Sequence, residues 1–173
     1  MNNNENQRYL IRPCTSQDLD AVCRLEDETL QSLSRPELLR HNGRQRLEPC
    51  LQPPHLTVGA FCDGRLAAFA ILFDPEGDRG EDLSHCVGLG HLRSLNYKLC
   101  IVAPLHRGHR LQVRLGQWLE SEARRRGAEL LCSTVSPMNE ASMRSLQRLG
   151  YRQGPCVQKY GYRRWVYYKR LSD

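Results

Sequence analysis

Apolar positions recur along this chain with two periods, near two and near 3.6 residues, and their order predicts strands interleaved with helices. Arg8-Tyr9-Leu10-Ile11-Arg12 reads as a short strand stopped by Pro13. Thr15-Ser16-Gln17-Asp18 follows as a capping box with Asp18 in place of the usual Glu or Gln. The helix it opens carries Leu19, Val22, Cys23, Leu25 and Leu30 on one side. Pro36 is placed to open a second helix with Leu38, Leu39 and Leu47, and Pro49 and Pro53-Pro54 close it. Two apolar runs, 56–62 and 65–73, flank Asp63-Gly64, the dipeptide that type I′ hairpin turns favour. Residues 74–90 are polar and glycine-rich, the composition of a lid, binding loop or linker.

Beyond that loop, 91–102 reads as a strand ended by Pro104. Leu111, Leu115, Trp118, Leu119 and Ala123 then form an amphipathic stripe. Arg124, Arg125 and Arg126 complement the dipole in its last turn, and Gly127 supplies the stop. A strand over 129–135 precedes a helix from Glu140 to Leu149, started by Pro137-Met138-Asn139 and stopped by Gly150. The aromatic tail, Tyr160 to Tyr168, favours one or two final strands, with Trp165 to Tyr168 serving a dimer interface or the core. This order predicts a mixed α/β sheet with helices on its faces and sites beyond strand ends, where helices begin.

With 173 residues and no repeat or linker, the chain is expected to form one domain over 8–173 after a frayed start at 1–7. No apolar run is long enough for a membrane helix and the first residues lack a signal-peptide core, so a cytoplasmic protein is expected. The eight cysteines show no C-x-x-C spacing and several stand in apolar strands, which predicts buried free thiols and no metal site. The net charge of +6 hides a split: residues 1–86 carry −5 and residues 87–173 carry +11. The basic half suits a polyanion, either a phosphorylated cofactor or nucleic acid, and the acidic half a cationic partner. No nucleic-acid motif is recognisable, so a nucleic-acid partner is the weaker expectation.

The chemistry concentrates at Leu99 to Gln112, where a strand ends in Val102-Ala103-Pro104 and Arg107-Gly108-His109-Arg110 feeds a helix. Free amides and the positive dipole end converge there into a phosphate cradle spanning Arg107, Gly108, His109, Arg110, Leu111 and Gln112. Arg107 or Arg110 adds charge-assisted bonds.

Together with Asn139, Ser142, Gly150 and Tyr151, in the order Asn-x-x-Ser…Gly-Tyr, these residues give the chain a resemblance to the GNAT superfamily of acyl-CoA-dependent N-acetyltransferases. The resemblance spans nearly the whole chain. It implies a single-domain α/β (α+β) fold, a mixed, mostly antiparallel sheet of about six to seven strands flanked by about four helices. It also implies acetyl-CoA as co-substrate without a metal, with its pyrophosphate on the cradle and Asn139 and Ser142 alongside, and an amine of a small molecule, peptide or protein attacking the thioester directly. The backbone N–H of Ile101 or Val102 is the candidate donor to the developing oxyanion. Glu26 and Glu28 are candidates to take the ammonium proton through water. The chain departs from the family pattern in two places. Arg110 and Gln112 replace glycines of the phosphate loop, and Leu146 stands where the family has a proton-donating tyrosine, leaving Tyr151, Tyr160, Tyr162 or water to replace it. Those departures keep open a CoA-binding or sensory module of the same fold without catalysis.

Overall fold

A computed structural model describes residues 8–171. The expectation of a frayed segment at 1–7 lies outside them. Seven strands form one sheet in the order β1-β2-β3-β4-β5-β7-β6: β1 Leu10–Pro13, β2 Leu56–Cys62, β3 Arg65–Phe73, β4 Ser94–Val102, β5 Leu130–Val135, β6 Arg152–Lys159 and β7 Tyr162–Arg170. All neighbours are antiparallel except β4 and β5. The four α-helices are α1 Leu19–Gln31, α2 Gly43–Leu47, α3 Leu111–Arg125 and α4 Glu140–Arg148.

Each face of the sheet is covered by its own core. On one face Leu19, Val22 and Leu25 of α1 pack with Phe61, Phe69, Ile71 and Ile101. On the other, Leu111, Leu115 and Leu119 of α3 and Leu146 of α4 cover Val58, Ala68, Leu72 and Tyr97. The expected hairpin forms at Asp63 and Gly64, which both take positive φ, 49° and 75°. A second such turn at Tyr160 and Gly161, φ 59° and 82°, joins β6 to β7. All eight cysteines are free, four of them buried. Among the described residues, no helix is long and apolar enough to cross a membrane.

One expected element differs. The helix anticipated from Pro36 is a 3-10 turn, Pro36–Leu38, followed by extended Leu39 and then the short α2. Gly43 has φ 68°, which interrupts any helix running from Pro36 into α2.

Two irregularities in β4 position the site. Register with β3 runs Ile71↔Leu99 and then Leu72↔Tyr97, so Lys98 is an extra residue on β4. The bulge reverses the strand's facing. Before it Leu95 and Tyr97 pack toward α3, and after it Cys100 and Val102 do. The parallel pairing to β5 covers only Ser94↔Leu130 to Asn96↔Cys132. From Tyr97 onward the two strands part.

Candidate active site at the parting of two strands

Two cavities open where β4 and β5 diverge. The larger, about 490 Å³, lies between the end of β4, the loop to α3, the first turn of α3, α4 and the segment after α1. The smaller, about 90 Å³, sits between β4 and β5 and is closed by Arg40, Asn42, Tyr160 and Arg164. Both are lined by Leu38, Leu39, Cys100, Gln112, Asn139 and Ser142, so they meet at the split.

The larger cavity gathers nine of the ten residues that the sequence marks for a phosphorylated ligand: Ile101, Val102, Arg107, Gly108, Arg110, Leu111, Gln112, Asn139 and Ser142. His109 is the exception; its ring lies 5.8 Å from that of Tyr9. His106, also on the wall, has Nδ1 3.0 Å from the Tyr9 hydroxyl. Gly108 has φ 84° and Arg110, the residue capping α3, has φ 56°. No side chain caps that helix start, which leaves its first amides free to donate to a ligand. Arg144 and Arg148, one turn apart on α4, join Arg107 and Arg110 around the space, and among the described residues no carboxylate lines it. The wall of the cavity is therefore cationic. The i, i+4 arginines beyond Asn139 were the sequence signal for the α4 contribution.

Asn139 accepts the Ser142 amide at 3.1 Å and so caps α4. Gln112 turns its Nε2 away to the Ser142 hydroxyl at 3.0 Å, while its carbonyl accepts from Tyr97 at 3.1 Å. Strand phase settles which β4 amides face the opening. Ala103 N–H donates to Ala67 O at 2.9 Å, and Phe69 stands opposite Ile101. Alternation in an antiparallel pair then directs the Ile101 N–H to β3 and the N–H groups of Cys100 and Val102 to the split.

The structure moves the candidate bases elsewhere. Glu26 is fully buried, and its carboxylate accepts the amides of Asn42 and Gly43 at 3.0 and 2.8 Å and the Asn42 side chain at 2.8 Å. It anchors the turn into α2 and lines neither cavity. Glu28 is exposed on α1 and also lines neither. Tyr151 belongs to the core against Tyr97, with burial holding its hydroxyl well above the usual phenol range. Tyr162 is an exposed residue at the start of β7.

A carboxylate bonded to three residues of the smaller cavity is Glu81, from the 74–90 loop. It accepts from Tyr160 at 2.9 Å and lies 3.3 Å from Lys98 and 3.5 Å from Arg40, all three on the cavity wall. Burial opposes its charge, yet Lys98, Tyr160 and Lys159 together hold it below the ordinary carboxylate range. Lys98, the bulge residue, also stands 3.6 Å over the Phe73 ring. The acidic first half thus gives this cavity Arg40 and Asn42 rather than acid groups. Cys100, at the junction, has its thiol pushed up to about 12 by burial. Lys98, the charged residue of β4, and Arg164 within the aromatic tail were the local sequence signals for this wall.

The acetyltransferase (GNAT) family model matches residues 19–151. No curated protein matches the chain. Among solved structures, yncA from Salmonella typhimurium with its cofactor acetyl-CoA superposes with TM-score 0.73 at 19% identity, over 96% of this chain and 95% of that one. Ribosomal-protein-alanine N-acetyltransferase from Brucella melitensis does so with TM-score 0.71 at 21% identity, over 93% and 99%. Ribosomal-protein-S18-alanine N-acetyltransferase from Escherichia coli gives 0.70 at 18%, over 95% of each chain.

Proposed function

The chain belongs to the acetyltransferase (GNAT) family, and from that premise we propose that residues 8–173, as one domain, move an acetyl group from acetyl-CoA to a primary amine by direct attack. The carrying observation is the meeting of a carboxylate-free, arginine-lined cavity with a second cavity, beside outward-facing strand amides. The uncapped start of α3 at Leu111 and Gln112, with Gly108, suits a pyrophosphate, and Arg107 and Arg110 add charge-assisted bonds. In this reading the thioester reaches the split between β4 and β5.

The amine nitrogen bonds to the acetyl carbon as the carbon–sulfur bond breaks, and the electron pair leaves on sulfur. Charge developing on the carbonyl oxygen is met by the N–H groups of Val102 and Cys100, with Ile101 excluded by its pairing to β3. Burial pushes the Cys100 thiol up to about 12, which disfavours the thiolate an acyl carrier needs and supports one-step transfer. Glu81, engaged by Lys98 and Tyr160, is a weak base, so the acceptor enters as free amine and its proton passes to water. The leaving thiolate needs no dedicated acid, because free thiols ionise near pKa ~8.5. Leu146 on the wall is consistent with that.

Calorimetry with acetyl-CoA and CoA tests the reading. Wild type is expected to bind both, and Arg107→Glu to weaken binding more than about tenfold. No binding at millimolar ligand, or unchanged affinity in a folded Arg107→Glu, overturns it. Binding without thiol release across a broad amine panel would instead identify a non-catalytic module.

A further inference from the structure

We propose that the smaller cavity recognises an anionic group on the acceptor, making the substrate an amine tethered to a carboxylate or phosphate. The inference rests on the reading above, in which the amine meets the thioester where the two cavities join. Arg164 carries it. Its residue is 5% exposed, it lines the cavity, and among the described residues its Nε and Nη2 have no hydrogen-bond partner. A guanidinium stays charged under all working conditions, and burying it unpaired is costly. A built site resolves that cost when a ligand supplies the missing acceptors, and the planar fork suits a carboxylate or phosphate.

The rest of the wall agrees in sign. Arg40, from the segment after α1, and Lys98, at the β4 bulge, stand on the same cavity. Glu81 reaches both and leaves Arg164 unserved. Glu37 acts on Arg164 only through space and is ion-paired with Arg35 at 3.7 Å. Three separate segments, one held by a bulge and one by the Tyr160-Gly161 turn, thus converge on a cationic pocket. An acceptor of purely positive charge, such as a polyamine, is repelled there.

The test compares kcat/KM for matched amines: free amino acids against their α-amides, and phosphoethanolamine against ethanolamine. The α-amides have the less basic amines, so a preference for the free acids comes from the site and not from intrinsic reactivity. Wild type is expected to favour the anionic member of at least one pair by about tenfold or more. Which pair responds separates carboxylate from phosphate. Arg164→Gln should abolish the preference, and Arg164→Lys should keep the charge and recover part of it. Equal rates within every pair, or a preference untouched by Arg164→Gln, overturns the proposal while the acetyl-transfer reading stands. Calorimetry with acetyl-CoA reports on that reading separately, since Arg164 lies off the larger cavity. Should acetyl-CoA fail to bind, sodium phosphate and sodium acetate become the probes. Protection against thermal unfolding in wild type that is lost in Arg164→Gln and partly kept in Arg164→Lys supports the anion site, and no protection in wild type defeats it. If Arg164→Gln does not fold, Arg164→Lys and Arg40→Gln carry the same comparisons.

Discussion

Gly108 and Arg110 both hold positive φ in the loop that feeds α3, one a glycine and the other not. The family resemblance implies glycine at 110 and 112, where this chain has Arg110 and Gln112. The structure holds Arg110 in the left-handed region at φ 56°, where an L-residue pays about 1 kcal/mol or more, and turns the Gln112 amide aside to Ser142. Arg110 thus brings a cation to the cavity wall at a conformational cost. Substituting at 108 and 110 separates the two effects. A Cβ at Gly108 would meet nothing within 4 Å, so Gly108→Ala is opposed by φ 84° alone. It should lose about 1 kcal/mol in urea denaturation and raise the acetyl-CoA Kd as the cradle relaxes. Arg110→Gly should leave stability level or slightly higher and still raise the Kd, because only the charge is removed. Equal Kd values for wild type and both variants would place the diphosphate away from this loop.

At the scale of elements, periodic patterns read well and long-range capture did not. The strands at 56–62 and 65–73, the helix stripe of Leu111, Leu115 and Leu119, and the Asp63-Gly64 turn are local, and each stands where its spacing implied. The region from Pro36 to Leu47 misled because Glu26, seventeen residues before Gly43, collects the amides of Asn42 and Gly43. No window of local periodicity contains that bond. The same bond explains why an acidic residue chosen as a base is structural. The pocket around Arg164 was not legible for a related reason, since it forms only once β7 and the β4 bulge are assembled. Packing between α3 and α4 offers a sharper check. Gly116 lies on α3, where alanine would ordinarily gain about 1 kcal/mol of helix propensity. Its Cβ, however, would stand 2.4 Å from Leu149 Cδ1 and 3.3 Å from Tyr97 Cε1. Leu149 can shift, but it is 5% exposed within the core, and Tyr97 is held at Gln112. Overpacking should win, so Gly116→Ala is expected to destabilise by about 1–2 kcal/mol in denaturant titrations. A stabilised variant would mean that the two helices separate freely.

Across the whole molecule, ionisation ties stability to pH in one direction. The His55 ring stacks on Phe73 at 4.1 Å, and its Nδ1 accepts the Asp74 amide at 3.1 Å, a role open only to the unprotonated nitrogen. Burial first, then Lys98, hold its pKa below 6.5. The unfolded chain takes up that proton near pH ~6.5 while the folded chain resists, so stability falls as pH drops below that point. A second loss follows lower down. The Arg93 fork at 3.0 and 2.6 Å holds Asp74 below the carboxylate range, and Arg12 does the same for Asp18 at 2.8 and 2.9 Å. Their contribution is complete above the unfolded values of about 4 and disappears as pH passes down through the depressed folded values. Unfolding free energy should therefore decline in two stages from about pH 7 to pH 3. His55→Gln keeps an acceptor for the Asp74 amide and removes the titrating ring, so its curve should be flat to about pH 5 and then fall with wild type. If instead wild type and His55→Gln decline in parallel between pH 7 and 5, the first stage belongs to another histidine, and the neutral ring at His55 is not what couples β3 to the loop that follows it.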